Sequence, residues 1–389
     1  MQRTASDRLA ALAVVQGLAI GGLATLIPAY LHKAGASDFL VGLSFTFWGL
    51  SRGVFGLIAG AAYRRLGHRV VLGAALFIFA VSTLAYALSR TPTTLVAFRL
   101  LQGVGAGLYW TSLLATVAKA TPPAGRMAAL VRTNILVAGM GLVGQPIAGA
   151  LATAISPTAF CWISTVLLAG LAAPLAISLP GKIGADPPAR RASPSASPAR
   201  LGRLQHAQAI GAALQNLPAV VTMIGMPVIL SELGAGYTAI GVEGAAMLLA
   251  SMLAQQIGHG WAKRYGRGRL LMVGAIVAAA ALGGLALRAS VGFSDACFIV
   301  LAATLGLSNL TWLHWAQQSV SDELLGPLTG VFRGTGDLFA VIGYTLFGVL
   351  AHHLLGGLGL LAAISLAVGA GALRLDRSVA RPEGTGLAF

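Results

Sequence analysis

Apolar residues run along the chain in blocks of about 20, each closed by a short polar or basic turn. A helix of that length rises far enough to cross ~30 Å of hydrocarbon. The blocks predict twelve transmembrane helices at 9–31, 39–62, 70–88, 92–118, 127–152, 157–179, 207–231, 237–261, 270–288, 293–318, 324–351 and 354–374. In lipid a helix satisfies its own backbone groups, so the expected fold is an all-α integral membrane protein.

The series is interrupted once. Residues 181–206 combine four prolines, small polar residues and five Lys/Arg, the composition of a flexible linker. The chain therefore divides into an N-terminal six-helix bundle (1–180), a linker (181–206), a C-terminal bundle (207–375) and a tail (376–389). A shift of 199 residues pairs Pro28 with Pro227, Gly35 with Gly234, Gly42 with Gly241, Arg64 with Lys263, Arg65 with Arg264 and Gly67 with Gly266, and a shift of 201 pairs Arg132 with Arg333. With six helices per half, the repeat is parallel, its axis lies along the membrane normal, and a midplane site between pseudo-symmetric bundles is expected.

Composition agrees with the pattern. Of 389 residues 57% are hydrophobic and 10% charged, and mean hydropathy is +0.82, against roughly 25% charged residues in a soluble domain. The net charge of +15 would suit nucleic acid, but its placement argues otherwise. With the N-terminus inside, Lys33, Arg90 and Arg288 are the three basic residues outside, Arg52, Arg99, Arg132 and Arg333 fall within spans, and the other nineteen are cytoplasmic. That is a positive-inside signal, placing both termini in the cytoplasm of a multi-pass protein of the cell (inner) membrane. Nucleic acid is not an expected partner. Cys161 and Cys297 lie in apolar runs, with no metal site, cofactor or disulfide framework expected.

Three motifs carry a family resemblance. Gly60-Ala61-Ala62-Tyr63-Arg64-Arg65-Leu66-Gly67-His68-Arg69, between spans two and three, resembles the signature loop of the major facilitator superfamily. In that pattern an acid follows the first Gly by four residues; here Arg64 holds its place, and Lys263 holds it in the second copy, Lys263-Arg264-Tyr265-Gly266-Arg267-Gly268-Arg269. The acid latch of the family is thus absent from both loops. Arg99-Leu100-Leu101-Gln102-Gly103 is similar to the family's fourth-helix Arg-x-x-Gln-Gly pattern. Gly141-Leu142-Val143-Gly144-Gln145-Pro146-Ile147-Ala148-Gly149 resembles the Gly/Pro motif of its drug–proton antiporters, with Gln145 where a Gly usually precedes the proline. The resemblance implies alternating access by two rocking bundles, a monomer, and a transporter rather than an enzyme. Gly139-Met140-Gly141-Leu142-Val143-Gly144 also fits a dinucleotide fingerprint, but it lies in a helical span with no βαβ unit around it.

Charge inside lipid is costly, so the chemistry is expected at the intramembrane polar residues. Asp337 lies mid-way along span eleven with Arg333 one helical turn before it. Either the two form a structural ion pair, or Asp337 binds a proton and releases Arg333. Glu243 in span eight is a second candidate for proton coupling; no acid falls in a first-half span. Gln16, Arg52, Arg99, Trp110, Gln215 (with Asn216), Asn309 and Trp312 are candidates for substrate binding, each with plain helix packing as the alternative. The four intramembrane arginines, set against Glu243 and Asp337, would favour an anionic substrate. The expected function is proton-coupled efflux of a small organic molecule, a drug-like compound or a secreted metabolite such as a siderophore. Proton-coupled uptake or facilitated diffusion of a small organic anion is the alternative, and a membrane-embedded enzyme or sensor is a third class. The implied partners are the substrate, protons and the bilayer.

Overall fold

The computed structural model describes residues 2–89, 91–122, 125–181, 201–320, 325–350 and 354–379. These form helices throughout, numbered here as twelve. α1 comprises Gln2–Gly21 and Leu23–Lys33; α2 (38–66) and α3 (68–88) form the continuous rod Asp38–Leu88; α4 is Pro92–Ala120, α5 Arg126–Ala154 and α6 Ala159–Ile177. α7 comprises Arg203–Gln215 and Met226–Glu232, α8 is Tyr237–Tyr265, α9 Arg267–Leu287, α10 Val291–Gln317, α11 Leu325–Leu350 and α12 Leu354–Val379. The expected loop between spans two and three shrinks to one residue: α2 continues to Leu66, and Gly67 at φ 80°, ψ 162° turns the chain directly into α3. Residues 182–200 of the expected linker lie outside the described residues, and α7 begins at Arg203.

Two helices carry π-turns, over Leu167–Ala172 in α6 and Val221–Gly225 in α7. A proline follows each, Pro174 and Pro227. A proline lacks the N–H for the carbonyl four residues back, and its ring crowds that carbonyl, so the turn before it widens.

The internal repeat is present in the backbone. Among the described residues, the glycines with positive φ form two pairs 199 residues apart, Gly35 (85°) with Gly234 (87°) and Gly67 (80°) with Gly266 (86°). Around the first pair the helix ends match bond for bond. Ala34, Gly35 and Ala36 N–H groups donate to Tyr30, His32 and Leu31 carbonyls; Leu233, Gly234 and Ala235 donate to Ile229, Ser231 and Leu230. This is a Schellman end, which needs a left-handed residue that glycine supplies without strain. α4 and α10 are capped at equivalent residues, Thr91 accepting from Thr94 N–H and Ser290 from Phe293 N–H. Gly107 lies on the backbone of Arg52 and Gly306 on that of Ser251, the same crossing in each half.

The chain clusters into two compact units. One is Met1–Ala192 with Met223–Ala246 and Tyr344–Val349; the other is Ser193–Thr222 with Met247–Gly343 and Leu350–Phe389. The core of the first is built from fully buried Leu12, Leu72, Leu76, Phe79, Tyr109, Leu113 and Leu168. The second centres on Trp312 and Trp315, stacked at 5.5 Å and packed with Ala212, Leu271 and Ala372. Large apolar side chains also face outward along the helices, Leu57 at 86% exposed among them. Such a surface is stable only against lipid.

Candidate functional site

In the second unit, α7, α10 and α11 enclose a cavity of about 320 Å³ lined by Ala212, Ala213, Asn216, Asn309, Leu313, Phe332, Gly336 and Asp337. A carboxylate and two carboxamides thus meet in an otherwise apolar recess, a concave site with a few convergent polar groups. Asp337 is half-buried. Arg333 lies one helical turn before it on α11; the side chain of Arg333 is outside the described residues. Gln215 and Trp312 are turned into the packing beside the cavity. Gln215 Oε1 accepts from Trp312 Nε1 at 2.6 Å and its Nε2 donates to Ser308 Oγ at 3.1 Å, which uses both ends of the amide. A smaller cavity of about 160 Å³ lies between α8 and α10, lined by Gln255, Thr311, His314 and Gln317 with Arg267.

The first unit holds the other candidates. Arg99 is 4% exposed. Its guanidinium lies 4.2 Å from the Phe45 ring and donates to Gln102 Oε1, which also accepts from the Tyr86 hydroxyl at 3.0 Å. No carboxylate is among these partners, and Arg99 Nε has no hydrogen-bond partner. Aromatic stacking and an amide suit a guanidinium in an apolar site better than they would an ammonium. Arg52, half-buried, stacks on Trp48 at 4.6 Å. Gln16 is buried with its Oε1 unpartnered, and it occupies the place in α1 that Gln215 occupies in α7. Trp110 lies edge-on to Tyr109 at 6.1 Å.

The fifth-helix motif is a two-sided seam. Toward α1, Gly141 lies on Gly21, and Gly144 on Leu18 and Gly22. Toward α8, Gln145 meets Gly241 and Gly244, and Gly149 meets Tyr237 and Thr238. Pro146 lies inside the helix between these contacts. Glu243 follows Val242 on this stretch of α8 and is 6% exposed. Thr238 Oγ1 closes the seam on Thr153 Oγ1 at 2.9 Å.

The two signature loops differ. In the first, Arg64 and Arg65 are exposed near Gly60, His68 Nε2 meets the Pro180 carbonyl at 2.9 Å, and Arg69 lies against Gly181. In the second, Arg264 stacks on Tyr265 at 5.3 Å, the side chain of Lys263 is outside the described residues, and Gly266 turns the chain. An acid does serve this second turn, but from another helix: Asp376 Oδ2 of α12 accepts from Gly268 N–H at 3.0 Å. That contact was not legible from the loop, because the acid lies 108 residues away.

A model of the Major Facilitator Superfamily matches residues 9–344. The chain belongs to that superfamily. No curated protein matches the sequence. Among solved structures the chain is similar to a mutant form of the nucleoside transporter NupG, with 14% identity, TM-score 0.74, and 95% of this chain and 99% of that one covered. It is also similar to a D-xylose–proton symporter, with 16% identity, TM-score 0.73 and coverage of 95% and 97%. These likenesses establish the fold along nearly the whole chain. With the family they make the protein a multi-pass major facilitator transporter and not an enzyme.

Proposed function

We propose that this transporter couples proton movement to transport of a small organic molecule, with Asp337 as the proton-binding group. The supporting observation is the cavity that joins Asp337 to Asn216 and Asn309. A carboxylate facing the same recess as two amides places a proton-binding group beside donors and acceptors that can hold a substrate. One proton moving through 100 mV supplies about 2.3 kcal/mol, enough for about fiftyfold accumulation. The close seam of the fifth-helix motif on α8 supports export, of a drug-like compound or a secreted metabolite such as a siderophore. The basic residues support a cytoplasmic position for both termini in the cell (inner) membrane, and the transporter acts as a monomer.

Uptake is the second reading, favoured by the fold likeness to a D-xylose–proton symporter. One experiment addresses both. Liposomes carrying the purified protein and internal pyranine are given a pH gradient, then D-xylose, uridine or ethidium. Proton movement dependent on an added compound, lost in Asp337→Asn, supports coupling, and its direction relative to compound flux separates export from uptake. Flux that ignores the gradient would reject the proton role.

A further inference from the structure

One face of the first α7 segment carries amides where an apolar face belongs. Gln205, Gln208 and Gln215 lie three and seven residues apart, so they fall within about 80° of the helix circumference, with Ala212 among them. They are 9%, 0% and 4% exposed, and this segment packs on α10. The two outer amides are bonded there. Gln205 Nε2 lies 3.3 Å from both the carbonyl and the hydroxyl of Ser319, just past the end of α10. Gln215 bonds Ser308 and Trp312.

Gln208, between them, has no hydrogen bond at either Nε2 or Oε1. A buried amide with no partner costs about 1–3 kcal/mol. The same fold position in the first repeat, 199 residues earlier, is Leu9, 3% exposed within the apolar core. The fold therefore accepts leucine at this point without difficulty, and the second repeat holds an amide there against its own stability. A buried, polar group with a free donor and a free acceptor is the setting in which ordered water is retained, since a buried water makes two to four hydrogen bonds.

We infer that the α7–α10 seam holds ordered water at Gln208 and conducts protons between the linker end of α7 and the Asp337 cavity. Gln205 lies two residues from the start of α7, at the linker end of the seam. Ala212, one turn beyond Gln208, lines the cavity with Asn216 and Asp337. A proton passes by hopping: each water takes a proton on one side and releases another on the far side, while the amides orient the chain and keep their own protons. The conducting role rests on the proton-binding reading of Asp337; the water does not.

X-ray radiolysis of the full-length protein in nanodiscs tests the water directly, because hydroxyl radicals generated in place oxidise side chains beside bound water. Trp315 (3% exposed) and Trp312 (1% exposed) flank the seam on α10. The expected result is oxidation of these residues in the wild type, reduced at least about fivefold in Gln208→Leu, with an unchanged or higher Tm. Gln208→Met, closer in length, serves if the leucine variant fails to fold. Equal oxidation in variant and wild type, or none in the wild type, overturns the inference. In the pyranine liposomes Gln208→Leu is expected to slow compound-dependent proton flux about tenfold, and unchanged flux overturns the conducting role. Retained flux in Asp337→Asn overturns the reading of Asp337 instead, and the labelling still decides the water.

Discussion

Lys33, the last residue of α1, donates from Nζ to the carbonyl of Ala235 at 2.9 Å. Ala235 occupies in the second repeat the place that Ala36 occupies in the first, so the lysine of one repeat grips the other repeat's copy of its own turn. The ammonium also lies 5.1 Å from the Tyr237 ring. A part-buried hydrogen bond and a cation–π contact together contribute about 1–2 kcal/mol. Lys33→Met is expected to raise the open population at this end by about 5–30-fold. The measure is thiol alkylation of Ala235→Cys, 6% exposed in the wild type, in a background lacking Cys161 and Cys297. An unchanged alkylation rate would show that the contact carries no closing energy.

The α5–α8 seam depends on the absence of side chains at chosen glycines. A Cβ on Gly241 would run into the Gln145 carbonyl and come within 3.3 Å of Gly149 Cα, both backbone and unable to step aside. Gly241→Ala is expected to cost about 1–3 kcal/mol through overpacking, lowering Tm by several degrees. Gly139 on α5 has open space around it, and Gly139→Ala is expected to be neutral or stabilising by up to about 1 kcal/mol through helix propensity. Thermal unfolding of the two in one detergent checks the contrast; equal losses would contradict the seam.

Much of this architecture was legible because it follows from local chemistry. Apolar length marks the spans, and the 199-residue offset found the glycines that the backbone needs at positive φ, Gly35 with Gly234 and Gly67 with Gly266. Intramembrane polarity alone selects Asp337, Asn216 and Asn309, and the structure places all three around one cavity. Partners were not legible. Nothing in the fourth-helix motif says that Phe45 of α2 lies beneath Arg99, or that Gln102 is shared with Tyr86 of α3. Gln208 was not legible as a site, because an amide within an apolar span is as readily bonded to a neighbouring helix, and only the packing on α10 shows it buried without a partner. The one-residue turn at Gly67 escaped because polar Arg64, Arg65 and His68 look like a loop, although exposed polar residues continue a helix as readily.

Asp376 replaces the acid absent from the second signature loop. Its bond to Gly268 N–H satisfies one of the unpaired donors at the start of α9 and sets a negative charge at the positive end of the helix. Asp376→Ala loses both and is expected to cost about 0.5–2 kcal/mol. Asp376→Asn keeps an acceptor and loses the charge, about 0.3–1 kcal/mol. Hydrogen exchange at Gly268, Arg269 and Leu270 should accelerate in the order wild type, Asn, Ala. Exchange unchanged in the alanine variant would show that α9 begins without help from α12.

Arg99 separates stability from transport. Its charge is buried on an aromatic ring and one amide oxygen, with no carboxylate among those partners, so desolvation is only partly offset. Replacing such a group by an apolar side chain of similar length is often neutral or stabilising, by about 1–4 kcal/mol where a whole buried ionic group is removed. Arg99→Met is therefore expected to leave Tm unchanged or raise it by several degrees. Arg99→Lys is expected to lower it, because an ammonium is more strongly hydrated and cannot stack its plane on Phe45. A residue retained at a cost in stability is retained for what it does, so both variants should lose transport in liposomes. If Arg99→Met lowers Tm as far as Arg99→Lys while transport persists, the guanidinium is a structural brace between α2 and α4 rather than part of the transport machinery.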